Sequence, residues 1–369
     1  MAVLKRCPIP TGRVPIPRSD RGIDRASPIS SIVPVAIVLS FLLSGCLSSD
    51  PQSTFSRDGD VASLQFDIFV LMWWLMVGVF VVVEGLLLFT VLRFRKRPSE
   101  PDMIPAQTHG NTRLEIAWTI APTLVLLALM VPTIQGLGYL SEKQTGDAIN
   151  VKVVAHQWWW EFQYPELGVS TANELHIPVG KSVNFELESA DVIHSFWVPR
   201  LAGKQDVIPN RRNTMWFNAK EPGEYYGQCA ELCGTSHALM KFRVIAQPQG
   251  EFEAWVNGEK SPQPAPSGRA AEGSTLFLTK GCIACHTIRG NPAAQAKIGP
   301  DLTHVGSRTM IAAGVLENNT NNLTKWLHDP NEVKPGNIMA RDALAYKEEA
   351  FRLTDDDISK LVAYLQSLK

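Results

Sequence analysis

Residues 223–240 read Gly-Glu-Tyr-Tyr-Gly-Gln-Cys-Ala-Glu-Leu-Cys-Gly-Thr-Ser-His-Ala-Leu-Met, and Asp-Val-Ile-His-Ser-Phe-Trp stands upstream at 191–197. The first stretch packs Cys229, Cys233, His237 and Met240 into one loop, and the second brings His194. Thiolate, thioether and imidazole together select copper, above all its softer reduced state. Two cysteines in one loop can bridge two copper ions, which is the ligand count that a shared-valence pair requires. A close Cys pair also serves as a redox disulfide, or as the site of a copper chaperone of thioredoxin-like fold. The chaperone needs alternating helices and strands around the motif, has no use for Met240, and does not explain the apolar stretches described next.

Outward from the loop, residues 150–246 form short β-rich runs such as Val151-Lys-Val-Val-Ala155, Ser182-Val-Asn-Phe-Glu-Leu187 and Thr214-Met-Trp-Phe217, with Pro and Gly turns between them. Regularly spaced short strands predict an all-β sandwich or barrel over 149–247. Two apolar stretches precede it, at about 68–92 and 116–137, within a segment 46–145. Each reaches the roughly 20 residues that cross a bilayer as a helix. Arg93, Arg95, Lys96, Arg97 and Arg113 lie between or beside them, which places the connecting loop in the cytoplasm and both ends of the hairpin outside. Glu84, the one charge in the first stretch, belongs to no motif.

The first 45 residues read as a signal peptide. Lys5, Arg6, Arg13, Arg18, Arg21 and Arg25 form a basic region, and the apolar run over 32–43 is short for a span and right for a leader. Leu43-Ser-Gly-Cys46 resembles a bacterial lipobox, with Cys46 the acylated residue of the mature protein and Cys7 lost with the leader.

Downstream, Ser261-Pro-Gln-Pro-Ala-Pro-Ser-Gly268 reads as extended, so 248–268 is expected to be a linker and 269–369 a separate helical domain. Cys282-Ile-Ala-Cys285-His286 is the attachment motif for c-type haem, with both thiols on the vinyl groups and His286 on the iron. Thr354 and Asp357 form a capping box that opens a last helix carrying Leu361 and Tyr364 on one face, and Gly273 and Phe277 lie one turn apart on an earlier helix. Met339, in Lys334-Pro-Gly-Asn-Ile-Met339, stands where the resemblance to cytochromes c implies the sixth ligand, with Met310, His304 and His328 as competitors. Met/His ligation raises the reduction potential relative to bis-His.

The formal net charge is −1 over 369 residues. That balance gives no electrostatic footprint for nucleic acid, and the length leaves room for two globular domains plus membrane segments.

The motifs quoted above, with His156-Gln-Trp-Trp-Trp160, resemble the copper domain of cytochrome c oxidase subunit II over about 64–246, and the last domain resembles a class I cytochrome c. The resemblance implies a multi-domain chain: a two-helix transmembrane hairpin, an all-β cupredoxin-like barrel, then an all-α cytochrome c domain. It implies a binuclear CuA centre bridged by Cys229 and Cys233, capped by His194 and His237, with Met240 a weak ligand and the Glu231 backbone carbonyl the last. The Glu231 side chain would reach a magnesium ion shared with the catalytic subunit. Trp158 matches the tryptophan through which electrons enter, and Glu115 the glutamate near a proton-uptake path; a core aromatic and a solvated first-turn residue are the alternatives. Gly299-Pro-Asp-Leu302 matches the segment whose carbonyl orients the proximal His, and the usual proline after Met339 is replaced by Ala340.

The function so implied is electron transfer within a proton-translocating bacterial haem-copper oxidase, with oxygen chemistry in a partner subunit. The implied partners are catalytic subunit I, other oxidase subunits, an external cytochrome c or similar donor, and the inner membrane, with both outer domains on the periplasmic face. A quinol oxidase subunit II shares the fold and lacks the copper ligands. A nitrous oxide reductase shares the loop and needs a large second domain. A membrane-tethered carrier without an oxidase partner stays open.

Overall fold

Two long helices lead into a β domain: α1 spans Asp60–Phe94 and α2 spans Thr112–Ser141. The computed structural model describes residues 50–95, 107 and 109–369. The expected leader over 1–45, Cys46, Cys7, and Lys96 and Arg97 of the basic loop lie outside the described residues. Both helices are long and apolar enough to cross a membrane, and their large apolar side chains are mostly exposed, as suits a helix whose solvent is lipid. Asn111 caps α2 by accepting from the Arg113 and Leu114 amides, satisfying donors that a first turn leaves without partners.

Both helices outrun the expected spans, and at the start of α1 the reason is packing. Val61 and Ala62 are buried in the β domain, and the Ala62 amide donates to the Leu201 carbonyl at 3.1 Å. The Asn218 side chain accepts from the Asp60 amide and donates to the Asp60 carboxylate, both at 2.8 Å. Arg200 donates to Asp58 at 2.6 Å. The first turn of α1 is thus a foot of the β domain before it is a membrane helix.

Ten strands make that domain: β1 Ile149–His156, β2 Trp159–Tyr164, β3 Val169–Ala172, β4 Glu174–Pro178, β5 Val183–Ser189, β6 His194–Trp197, β7 Gln205–Val207, β8 Asn213–Phe217, β9 Gly223–Cys229 and β10 Lys241–Gln247. They form two five-stranded sheets of order β3-β2-β1-β5-β8 and β4-β10-β9-β6-β7. The β1/β5 and β4/β10 pairs are parallel. Alternation does the sorting: Val151, Val153 and Ala155 of β1 point inward and their neighbours outward. Aromatic rings fill the space between the sheets, with Phe196 stacked on Phe242 at 4.7 Å and Trp160 edge-on to both at 5.4 and 5.5 Å. Such pairs contribute roughly 0.5–1.5 kcal/mol each beyond their buried area. Register then sets the copper-type ligands: Phe196 pairs with Cys229 across β6 and β9, which holds the start of one strand beside the end of the other.

Within the stretch read as a linker, 249–260 is a helix, α3 (Gln249–Lys260). Phe252 and Val256 are buried against the β domain, and Trp255 stacks on His176 at 4.1 Å. These residues recur at helical spacing. The extended part that follows is pinned, since the Gln263 amide donates to His304 Nδ1 and to the Lys369 carbonyl, both at 2.7 Å, and accepts from the Lys369 amide at 3.1 Å.

The last domain is helical, with α4 (Arg269–Thr279), α5 (Thr320–His328) and α6 (Asp355–Ser367) as its main elements. The Thr354–Asp357 capping box is present. α4 and α6 cross at Gly273, where a Cβ would come within 2.0 Å of the Lys360 carbonyl oxygen. Phe277 and Tyr364 meet edge-on at 5.8 Å beside that crossing. The expected architecture is present: two apolar helices, a β domain of two five-stranded sheets and a helical last domain.

The outer domains meet over a buried charged cluster around Glu259 of α3. Arg289 Nη2 stands 3.6 Å from it and Arg289 Nε 3.8 Å from Asp301, while Arg308, Glu174, Tyr164 and His304 face the same space. Burial outweighs the arginines and pushes the Glu259 carboxyl up to about 7. Between its ordinary value and about 7 the folded chain holds a proton that the unfolded chain has released, so stability falls as pH rises through that window. The loss amounts to on the order of 3 kcal/mol at most. Thermal unfolding between pH 5 and pH 8 is expected to show Glu259→Gln gaining stability relative to the unsubstituted chain as pH rises, since groups such as His176, which burial lowers to about 4, titrate alike in both.

Candidate copper and haem sites

The β6 and β9 strands deliver His194 and Cys229 side by side, and the loop that follows folds Cys233, His237 and Met240 back over them. The two sulfurs, Cys229 Sγ and Cys233 Sγ, are 3.8 Å apart. His194 Nδ1 lies 3.8 Å from Cys229 Sγ, and His237 Nδ1 lies 3.6 Å from Cys233 Sγ. Met240 Sδ is 3.9 Å from Cys233 Sγ, and the Glu231 carbonyl oxygen is 3.3 Å from Cys229 Sγ. His194 and Met240 are fully buried, both cysteines nearly so, and His237 is half-buried. A single Cys-x3-Cys segment therefore presents two sulfurs at the centre with one imidazole nitrogen on each side.

Surrounding groups fix that arrangement. His194 Nε2 bonds Asp191 Oδ1 at 2.8 Å, which turns Nδ1 toward the sulfur. Burial opposes ionisation of Asp191, yet its bonds from His194, Val192 and Gln157 outweigh it and hold the carboxyl below its ordinary value. The two thiols share one hydrogen bond, which pushes the Cys229 thiol down to about 3 and the Cys233 thiol up. This donor set fits soft-metal binding: the second sulfur gives up its proton when a cation takes that proton's place. The Glu231 side chain turns outward, 4.0 Å from Lys204.

Trp158 does not sit on a strand. It occupies the turn between β1 and β2, 7% exposed, and its indole Nε1 donates to the Cys233 carbonyl at 3.0 Å. Gln157 donates to the same carbonyl at 2.6 Å. Trp159 is the outward member of the run and stacks on His156 at 4.2 Å, while Trp160 is wholly buried. Glu115 is exposed in the first turn of α2, at the end of that helix away from the β domain. The structure does not bring it to either site.

In the last domain one cleft is lined by Cys282, Cys285, His286 and Met339. His286 Nδ1 bonds the Pro300 carbonyl at 2.8 Å, which leaves Nε2 as the free ring nitrogen. Gly299 packs so closely on that ring that a Cβ would come within 2.6 Å of His286 Cε1. Burial lowers His286 and pushes the Cys282 thiol up to about 11, so both are neutral at neutral pH. An apolar cleft with two thiols, a fixed imidazole and a thioether fits covalent haem. Met310 also lines it, whereas His304 and His328 do not. Asn337 caps the short helix that carries Met339, accepting from the Ala340 amide at 2.8 Å. The far wall of the cleft belongs to the β domain, through Gln157, Trp158 and Trp159.

Sequence reasoning left Asp191 and Gln157 without roles, although both lie inside the motifs that carried the argument. The i,i+3 spacing of Asp191 and His194 was the available signal.

Family profiles match three segments: "Cytochrome C oxidase subunit II, transmembrane domain" at 60–135, "Cytochrome C oxidase subunit II, periplasmic domain" at 168–247 and "Cytochrome c" at 270–369. "Cytochrome c oxidase subunit 2" of Alkalihalophilus pseudofirmus is 41% identical, over 90% of this chain and 95% of its own. The same-named protein of Bacillus subtilis is 37% identical, over 90% of this chain and 96% of its own. "Quinol oxidase subunit 2" of Bacillus cereus is 32% identical over 64% of this chain and 81% of its own.

Proposed function

This chain belongs to the cytochrome c oxidase subunit II family, with a cytochrome c domain behind the copper domain, and from that premise we propose the course of electrons through it. It is an electron-transfer subunit of an oxidoreductase complex and works with other oxidase subunits. In our reading, electrons from an external cytochrome c or similar donor reach a covalent haem c, then a binuclear CuA centre, then the catalytic subunit. Reduction of dioxygen to water and proton pumping belong to that subunit.

The observation that carries the reading is the convergence of two sulfurs, each with its own imidazole nitrogen, in one buried loop. Cys229 and Cys233 would bridge two copper ions, His194 and His237 would cap one each, Met240 would be a weak ligand, and Glu231 would bind through its carbonyl. The outward Glu231 carboxylate suits a magnesium ion shared with the catalytic subunit. Cys282 and Cys285 would hold the haem, with His286 and Met339 on its iron. When bound, the copper pair and the haem each supply a one-electron station that changes state without bond making.

The chain's own residues keep those stations still. Asp191 fixes the His194 ring, Pro300 fixes the His286 ring, and Trp158 ties the Cys233 carbonyl to the haem-side wall. A rigid frame restricts ligand movement when oxidation state changes. The hairpin would cross the inner membrane twice, with both outer domains in the periplasm and Cys46 lipidated. Glu115 would stand near a proton-uptake path of the catalytic subunit.

Electron paramagnetic resonance of the oxidised protein tests the copper assignment. The expected spectrum shows hyperfine splitting by two equivalent copper nuclei; splitting by one nucleus overturns the bridging assignment. Met240→Leu is expected to retain both coppers with a shifted potential, and loss of both would sink its weak-ligand role. Mild detergent extraction is expected to yield a complex with a large multi-haem membrane subunit, and isolation of this chain alone would remove the oxidase reading.

A further inference from the structure

The two outer domains are held together by polar groups that are themselves buried. Glu174, the first residue of β4, is 2% exposed and points out of the β domain into the cytochrome domain. Its Oε1 accepts three bonds there: from the Thr309 amide at 2.8 Å, the Thr309 hydroxyl at 2.7 Å and the Met310 amide at 2.9 Å. Lys334 makes the reciprocal reach. It is 3% exposed, and its ammonium donates to the Trp158 carbonyl of the β domain and, at 3.4 Å, to the Ala312 carbonyl of its own.

Lys334 opens the loop that leads to Met339, and that loop lies on the copper side of the β domain. The Ser236 hydroxyl donates to the Pro335 carbonyl at 2.6 Å. A Cβ at Gly336 would touch the Trp158 ring at 3.5 Å and Thr235 at 3.6 Å. One tryptophan thus receives Lys334 at its backbone and Gly336 at its ring, and passes its indole N–H to Cys233. Loss of water around the buried ammonium disfavours its charge and lowers Lys334 to about 7, although the two carbonyls partly compensate. Apolar residues would close such an interface with less penalty but would not fix its register. Directional bonds from both sides fix it.

We propose that Glu174 and Lys334 are positioning residues for electron transfer: together they clamp the cytochrome domain so that the lip of its haem cleft rests on Trp158. The proposal builds on the relay reading given above. It makes the docked arrangement the working one, so that an external donor meets faces of the cytochrome domain other than this one.

The clamp is tested in the full-length chain, loaded with copper and haem in detergent, by flash reduction of the haem and optical recording of haem-to-copper transfer. Hydrogen exchange at the Thr309 and Met310 amides, the haem potential and the copper resonance spectrum are measured on the same samples. Glu174→Leu removes the acceptor of three bonds, and Lys334→Met removes the donor to Trp158. Each is expected to slow transfer severalfold, because electron tunnelling weakens steeply as the haem moves away from the copper loop, with potentials and copper signal unchanged. Glu174→Leu should also expose both amides to exchange. Glu174→Gln keeps an amide oxygen where Oε1 sits and is expected to restore most of the rate and protection.

Unsubstituted rates in both Glu174→Leu and Lys334→Met overturn the positioning role alone. Failure of Glu174→Gln to recover the rate overturns the part assigned to the acceptor. Absence of any haem-to-copper transfer in the unsubstituted, fully loaded chain overturns the relay reading, and the positioning role with it.

Discussion

Cys233→Ser is expected to abolish the copper pair while leaving the β fold and the covalent haem in place. Cys233 Sγ lies within 4 Å of a second sulfur, an imidazole nitrogen and a thioether. A serine oxygen is harder, and its proton is not given up at neutral pH, so it supplies neither the softness nor the negative charge that a bridge between two coppers needs. The substitution is nearly isosteric. Its structural penalty is that of one buried hydroxyl short of partners, on the order of 1–3 kcal/mol, too little to unfold a domain with an aromatic core of this size. Metal analysis should therefore fall from two coppers per chain to one or none, and the resonance signal of two equivalent nuclei should vanish. Cys229→Ser should do the same. Retention of two coppers with the shared-electron spectrum in either variant would refute the bridge.

The paired change Cys282→Ser with Cys285→Ser is expected to eliminate haem from the denatured chain. Thioether bonds survive denaturation and axial ligation does not, so a haem stain of a denaturing gel separates the two. The unsubstituted chain should stain fully, the double variant not at all, and each single variant weakly. Any haem left in the native double variant would depend on His286 and Met339 alone, and its stabilisation of the cytochrome domain would become concentration-dependent. The copper signal should persist, because the cysteines of the two sites sit on separate frameworks. A fully stained double variant would overturn covalent attachment.

Most of the two candidate clusters was legible because it is compressed into two short motifs, Cys229 to Met240 and Cys282 to His286, with Met339 outside the second. His194 was legible because it stands in a motif of its own. The coarse order of apolar hairpin, β domain and helical domain followed from apolar length, β-rich runs and a capping box at Thr354, whereas the cupredoxin and cytochrome c types were implied by the motifs' resemblance. What escaped were features whose meaning depends on a distant partner. Glu174 sits on a strand whose five residues are all buried, so alternation says nothing about it, and its ligands come from residues 309–310. Lys334 has the appearance of any surface lysine until Trp158 is placed over it. α3 was hidden between a strand and a proline-rich run, although Phe252, Trp255 and Val256 carried its period. α1 begins ahead of the apolar stretch because hydropathy marks where lipid begins, whereas Val61 and Ala62 answer to the β domain.

That last feature bears on mechanics. A helix of 35 residues is about 50 Å long at 1.5 Å per residue, well beyond a hydrocarbon core of about 30 Å. In a bilayer the excess is taken up by tilt or by protrusion. No slack separates α1 from the barrel, since Asp60 is grasped by Asn218 and Ala62 by Leu201. The helix is therefore a lever arm rooted in the β domain, so that any tilt of α1 in a bilayer would be passed to the domain that carries Cys229 and Cys233.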